Sequence, residues 1–241
     1  MSHAADLSKS AGTISAMFDA IAPRYDFLNH VLSAGIDRRW RKRAIRSLQL
    51  TGRERVLDIC TGTADLAIAA RTATPGAARV VGVDFAGAML DVGRDKVRRA
   101  GLARDVTLVR GDATRIPAAD SSVDAVTVAF GIRNVDDVPT ACREMCRVLR
   151  RGGALAILEF AIPTVPLVRT AYLAYFRHIL PRIGRLVSRH SAAYGYLPDS
   201  VGAFATPDQL VETLRANGFV DVAAVRMTFG IVFLYTARRG S

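Results

Sequence analysis

The sequence predicts an α/β fold built on one mostly parallel sheet, and three observations carry that expectation. First, short runs rich in Val, Ile and Leu recur at Arg55–Cys60, Arg79–Phe85, Val106–Arg110, Val123–Phe130 and Ala154–Phe160. Helical patterns lie between them at Ala64–Thr72, Gly87–Ala100 and Val135–Leu149. Continuous apolar strands alternating with helices mark parallel strands covered on both faces. Second, the chain has 241 residues, half of them hydrophobic. A single core can grow to roughly 250 residues before it splits, and this composition excludes disorder. Third, two final strand patterns, Val220–Thr228 and Ile231–Arg238, are separated only by Phe229-Gly230. That spacing predicts an antiparallel hairpin and brings the sheet to seven strands.

The elements follow in order. Residues 13–50 read as a helical N-terminal segment: Phe18, Ile21, Tyr25, Leu28 and Leu32 recur at helical spacing, with Pro23 at a break. Ser33-Ala34-Gly35 ends that piece, and a basic helix, Asp37–Leu48, follows. Asp136 and Asp137 suit the start of the third inter-strand helix, and Arg150-Arg151-Gly152-Gly153 its end, with glycine as C-cap. Residues 163–205 interrupt the rhythm as a helical insertion on the acceptor side. Its apolar and basic stretch Val165–Leu180 carries Tyr172, Tyr175 and Phe176, and a Ser/Tyr/Gly-rich segment, Ser188–Asp199, comes next. Thr206 is placed to cap a helix over Pro207–Asn217, which Gly218 stops. With no internal repeat and no linker, residues 1–241 are expected to form one domain.

Composition narrows the function. No apolar run reaches the roughly 18–20 residues that span a bilayer, and Met1–Gly12 lacks a signal-type apolar core. The cysteines, Cys60, Cys142 and Cys146, are odd in number and have no ligand-type neighbours, so neither a disulfide framework nor a metal site is expected. The setting expected is the cytoplasm. The net charge of +11 attracts anionic surfaces, whether nucleic acid or lipid headgroups, and charge alone does not choose between them.

Three strand ends carry the chemistry. The first runs into Asp58-Ile59-Cys60-Thr61-Gly62-Thr63-Ala64-Asp65, a small-residue turn that lets a ligand approach the backbone. A dinucleotide fingerprint would need glycines at positions 60, 62 and 65, and only Gly62 fits. The second strand ends at Asp84, which is placed to accept both ribose hydroxyls of an adenosine. The third ends at Gly111-Asp112-Ala113, where Asp112 can meet the adenine amino group. A small-residue turn and two acids without a phosphate cradle point to S-adenosylmethionine rather than a nicotinamide dinucleotide. Asp58, Gly62 and Met89, on the helix after Asp84, complete the cofactor-binding candidates read here.

At these residues the chain resembles the UbiE/COQ5 family of quinone-ring C-methyltransferases, over nearly its whole length. Phe18-Asp19, Tyr25-Asp26-Phe27-Leu28-Asn29, Leu32-Ser33 and Gly35-Ile36-Asp37-Arg38-Arg39-Trp40 are similar to its N-terminal signature. Arg147-Val148-Leu149-Arg150-Arg151-Gly152-Gly153 with Leu158-Glu159-Phe160 resembles a second one. Phe130-Gly131-Ile132-Arg133-Asn134-Val135, Leu180-Pro181-Arg182-Ile183-Gly184 and Tyr194-Gly195-Tyr196-Leu197 look like further family blocks. The resemblance implies a Rossmann-like class I methyltransferase fold and names Thr63, Asp84, Asp112, Ala113 and the position of Ala129 as cofactor contacts. The chain departs from the family at Asp37, usually His, and at Arg150 and Ala161, usually Lys and Ser. Ala129 is Ser in many relatives, so a side-chain contact there is not implied.

Methylating an aromatic carbon needs electron density on the ring, which a hydroquinone supplies once a hydroxyl is ionised. A phenol has a pKa near about 10, so a fixed cation beside it helps. Arg133, just past the fourth strand, is the candidate cation, with Asn134 to orient a hydroxyl or a water. Tyr25 and Asp26 lie on a segment able to close over the cofactor, and Asp112, Asp26 or a water are candidates for the base. Glu159 reads equally as a buried acid or a site residue. The expected acceptor is a prenylated quinol, demethylmenaquinol before others. The insertion's aromatic-basic face suits peripheral contact with the inner face of the cell membrane and equally suits a plain core helix. A nucleic-acid partner is not expected, because the fourth strand lacks the Asn/Asp-Pro-Pro-aromatic motif used on base amines. Another phenolic or polyketide acceptor is the nearest alternative, an RNA methyltransferase a more distant one, and a homodimer is left open.

Overall fold

The computed structural model describes residues 14, 16–22, 25–26, 33, 35–73, 79–175 and 199–241. The expected features at Leu28, Leu32, Phe176, Leu180–Gly184 and Tyr194–Leu197 lie outside them. The strands are β1 (Arg55–Ile59), β2 (Arg79–Asp84), β3 (Val106–Arg110), β4 (Val123–Ala129), β5 (Leu149–Phe160), β6 (Phe219–Met227) and β7 (Val232–Arg239). They form one sheet in the order β3-β2-β1-β4-β5-β7-β6. β1 to β5 are parallel, and β7 runs antiparallel between β5 and β6. The helices are α1 (Asp37–Ser47), α2 (Asp65–Ala73), α3 (Gly87–Arg99), α4 (Val138–Val148), α5 (Pro166–Ala174) and α6 (Pro207–Ala216).

Strand alternation divides the core. Val56, Ala125, Ala156 and Leu158 face one layer with Trp40 and Ala44 of α1, Leu66 and Ala70 of α2, and Leu90 and Val97 of α3. Leu57, Val126, Ile157 and Tyr235 face the other with Cys142 and Met145 of α4 and Leu210 and Leu214 of α6. Successive side chains of a strand point to opposite faces, so strands buried on both sides must be apolar throughout. The order reverses between β1 and β4: β2 and β3 lie on one side, β5 and β7 on the other. Ligands bind outside the carboxyl ends of strands at such a switch point.

Several expected boundaries move, each for a physical reason. The helix expected over Val135–Leu149 is shorter, α4 beginning at Val138, and a separate 3-10 turn at Ile132–Asn134 precedes it. Asp137 is the N-cap, accepting a hydrogen bond from the Thr140 amide at 2.9 Å, with Pro139 in the first turn. Gly152 is not a helix cap. It has φ +71° inside β5, where the pairing jumps from Val123 opposite Leu149 to Ala125 opposite Ala154. The glycine allows this bulge, and β5 therefore begins five residues earlier than Ala154. The hairpin turn is a 3-10 turn over Thr228–Gly230. The cap at Thr206 forms a full capping box with Gln209.

Candidate active site

The turn after β1 is tightly wound. Cys60 (φ +53°), Gly62 (φ +53°) and Ala64 (φ +67°) all take left-handed backbone, as does Phe130 (φ +59°) just after β4. Left-handed non-glycine residues are uncommon and cost of order 1–3 kcal/mol each, so they persist where surroundings force them, characteristically at sites. Here the forcing is mutual. A Cβ on Gly131 would lie 2.3 Å from Cβ of Cys60, so the loops after β1 and β4 touch at backbone range. Asp58, buried in β1, holds the arrangement: it accepts from Thr61 Oγ1 and from Thr127 Oγ1 of β4, both at 2.6 Å. Burial pushes its carboxyl up to about 6, against those two hydrogen bonds.

Asp84 ends β2 beside this turn. Its Oδ2 accepts from the Gly62 amide at 2.8 Å and its Oδ1 from the Ala86 amide at 2.9 Å. Each carboxylate oxygen has a further lone pair able to accept a ribose hydroxyl. Burial raises the Asp84 pKa as well. Met89, buried in α3, closes the turn from above, its Cε 3.2 Å from where a Gly62 Cβ would stand. Asp112 is exposed beyond β3, its Oδ1 held by the Thr114 amide and hydroxyl at 2.8 Å, and Ala113 beside it is buried.

The N-terminal segment lies against this edge. Asp19 accepts from the Ala88 amide at 2.8 Å, Ala22 packs with Ala86 and Met89, and Phe18 meets Tyr25 edge-on at 6.1 Å. Asp26 accepts from the Thr63 hydroxyl and from Lys96 Nζ, both at 2.5 Å. Lys96 also pairs with Asp65, which lies 3.5 Å from Arg41, and Arg41 is bonded to Asp37. The structure thus brings Asp26 to the turn after β1, and Thr63 uses its hydroxyl on Asp26.

Arg133 stands on the other side of the switch, in the 3-10 turn after β4, and is buried. Its Nη1 donates to Glu159 Oε1 at 2.8 Å and to the Phe130 carbonyl, and its Nε to Ser200 Oγ at 3.3 Å. The guanidinium carbon lies 5.7 Å from the centre of the Phe160 ring. Glu159 is the missing partner that sequence left undecided: fully buried in β5, it also accepts from the Phe160 amide at 2.8 Å and the Arg133 amide at 3.3 Å. Asn134 is buried alongside, and Ala129, half-buried, is the last residue of β4, opposite Leu158. Of the two readings of Val165–Leu180, a membrane-facing aromatic face and a core helix, Tyr172 follows the second. Tyr172 is buried and feels both Arg133 and Glu159, and Tyr175 is half-buried. Signals for the missed residues existed only in part. Glu159 stood in a recognised block, Lys96 looked like any basic helix residue, and Ser200 carried none.

These groups fit a donor without phosphate. Among the described residues, Lys96 lies 3.3 Å from the Thr63 hydroxyl and Arg41 3.5 Å from Asp65, and Asp26, Asp65 and Asp37 pair with these two cations. Two buried carboxyls, Asp58 and Asp84, stand at this edge, and burial raises the pKa of both. Fold and site together define a class I S-adenosylmethionine-dependent methyltransferase. A solved S-adenosylmethionine-dependent methyltransferase from Aquifex aeolicus superposes with a TM-score of 0.62 at 17% identity, over 83% of this chain and 89% of that one. Residues 6–239 match the ubiE/COQ5 methyltransferase family, and the chain belongs to it. The "Ubiquinone/menaquinone biosynthesis C-methyltransferase UbiE" of Geotalea daltonii is 43% identical over 97% of this chain and 99% of its own length. The "Demethylmenaquinone methyltransferase" of Deinococcus radiodurans is 44% identical over 95% and 94%.

Proposed function

We propose that this protein transfers the methyl group of S-adenosylmethionine to a ring carbon of a prenylated quinol, with demethylmenaquinol as the first acceptor to test. The single observation that carries the reading is a preorganised guanidinium, Arg133, at the acceptor side of a donor site built from Asp84, Asp112 and the Gly62 turn. The relatives' names supply the acceptor class. The bound donor contributes an electrophilic methyl on a sulfonium. Asp84 would hold its ribose, Asp112 and Ala113 its adenine, and Thr63, Met89 and Asp58 the shape of the turn. Arg133 would lower the cost of forming a phenolate on the acceptor, because a guanidinium stays charged at any working pH. Among the described residues its hydrogen bonds occupy Nε and Nη1 and leave Nη2 to donate to that oxygen. Asn134 would orient the hydroxyl, and Tyr25 would help close the site. The phenolate makes the adjacent carbon nucleophilic, and alignment with the methyl group supplies the rest.

The test is transfer of an isotopically labelled methyl from the donor to reduced demethylmenaquinol, with the label located by fragmentation. Ring-carbon label supports the reading. Label passing to a non-prenylated phenol, or to RNA, in preference to the quinol would overturn it.

The reading extends to a membrane surface. No helix among the described residues is long and apolar enough to cross a membrane. Yet Leu167 is 81% and Phe229 72% exposed, with Ile162 and Val165 exposed nearby, where the chain leaves β5 and turns between β6 and β7. An apolar rim at the acceptor edge of a strongly basic protein suits an anionic bilayer that dissolves the prenyl tail. Recovery with anionic vesicles should exceed that with neutral ones and fall with salt. Equal recovery in both would remove the electrostatic part of this reading.

A further inference from the structure

The geometry points to Glu159 as a positioning residue that fixes the Arg133 guanidinium and sets the pH at which the acceptor hydroxyl ionises. This rests on the proposed function, in which Arg133 faces the acceptor. The wiring is specific. The Glu159 carboxylate accepts from the side chain of Arg133 at 2.8 Å and from its main-chain amide at 3.3 Å, so it holds one residue twice. The Phe130 carbonyl, Ser200 Oγ and the Phe160 ring complete the cage, leaving the guanidinium one orientation. Stability alone explains such a pair poorly. Glu159 is fully buried and Arg133 is 5% exposed, and well-packed apolar residues of similar volume often replace buried ion pairs without loss of stability. The pair also sits at the carboxyl ends of β4 and β5, beside the switch point, rather than in the middle of the core.

The consequence is electrostatic. A lone guanidinium would pull a neighbouring phenol far towards ionisation, and a carboxylate in contact with it cancels much of that field. The charged and titratable neighbours do not supply a substitute. Tyr172 from α5, Tyr235 from β7 and Cys60 at the end of β1 all feel Glu159, and burial pushes each of them up, so all three are neutral near pH 7. Ser200 adds only a hydroxyl. Removing the carboxylate charge should therefore make the acceptor ionise at lower pH, and removing the guanidinium should make it ionise at higher pH. A purely structural role predicts slower or less stable enzyme, with no such opposite movements.

The experiment follows turnover against pH at saturating S-adenosylmethionine, with a short-tailed demethylated naphthoquinol kept reduced. The enzymes compared are wild type, Glu159→Gln, Glu159→Asp, Arg133→Met and the double variant Arg133→Met/Glu159→Gln. For Glu159→Gln the acid limb should move down by about one pH unit or more, the scale of removing a charge in contact. Arg133→Met should move it up, and Glu159→Asp, which keeps the charge, should leave it near the wild-type position even if turnover falls. The limb of the double variant should lie at or below that of Arg133→Met, because in the single variant the lone Glu159 carboxylate still opposes ionisation of the acceptor. A folded Glu159→Gln protein with an unmoved limb overturns the inference, as does a double variant whose limb lies above that of Arg133→Met. If Glu159→Gln alone fails to fold because it strands a buried cation, Glu159→Asp against wild type and the double variant against Arg133→Met decide, the first keeping both charges and the double variant stranding neither. A wild-type enzyme that turns over no quinol overturns the proposed function and this inference with it, which separates that failure from the others.

Discussion

The two halves of the site are built in different ways. At the ends of β1, β2 and β3, functional groups sit within a residue or two of a strand end, and their partners are mostly main-chain amides: Gly62 and Ala86 for Asp84, Thr114 for Asp112. At the ends of β4 and β5, Arg133 depends on side chains far away in sequence, Glu159 and Ser200. The first half is a local device repeated along a sheet edge. The second exists only once distant segments meet. The comparison teaches that the proposed donor half can be read as motifs, whereas the proposed acceptor half is a tertiary assembly whose parts have no meaning singly.

If the halves are separable, substitutions in each should leave the other's readout alone. Asp84→Ala should weaken donor binding by roughly 2–4 kcal/mol, the scale of losing charge-assisted hydrogen bonds in a buried setting. Arg133→Met should instead lower turnover by on the order of a hundredfold, as for one preorganised electrostatic contact, with donor affinity unmoved. Calorimetry and steady-state rates on both proteins sharpen the comparison, and a crossed result breaks it.

Asp58 tests the joint between the halves through pH. Its carboxyl is pushed up from 3.8 to about 6, chiefly by burial, so between those values the folded protein holds a proton the unfolded chain has released. Stability from this group is therefore greatest below about pH 4, falls as pH rises through about 6, and is flat above. Asp58→Asn has no such loss, so its stability relative to wild type should improve across that window by on the order of 2–3 kcal/mol. Denaturant midpoints of both proteins at acid and neutral pH check it, and a pH-independent difference would refute it.

Gly131→Ala attacks the same joint sterically. Its Cβ would stand 2.3 Å from that of Cys60, so the two loops must separate. The expected cost is about 1–3 kcal/mol of stability. Donor affinity and turnover should fall together, unlike either substitution above. The smallest effect is expected at Lys96→Met, which unties Asp26 from Asp65. Partly exposed ion pairs contribute up to about 1 kcal/mol, so donor affinity should drop slightly, the drop should shrink at high salt, and cleavage within the N-terminal segment by limited proteolysis should quicken.

How much was legible follows the same division. The helix cap at Thr206, the hairpin and the strands to either side of the switch could be read because their signals are local: a capping residue, a two-residue gap, an unbroken Val/Ile/Leu run. The end of α4 could not. Arg150-Arg151-Gly152-Gly153 looks like a helix stop, and only pairing with Val123 and Ala125 shows that Gly152 serves a bulge in β5. Gly131 stands within a family block, but its reason is the close approach of Cys60 across the switch, which no neighbouring residue signals. Asp26 was expected near the chemistry, and the structure gives it Thr63 and Lys96 as partners.

The sequence by itself determined the parallel sheet, because two-sided burial forces continuous apolar strands, and it placed the acids at strand ends, because a strand's last residue is fixed by where its apolar run stops. It also determined the family, through motifs spread over the whole chain. Only the tertiary structure decided who neutralises whom. Arg133 reads as a free cation in sequence, but it is an ion pair because β4 and β5 end side by side and bury Glu159 against it. Tyr172 reads equally as surface or core, and it is buried where it feels the same pair. Charge pairing at these sites depends on distances across the sheet, and a linear order of residues carries no such distances.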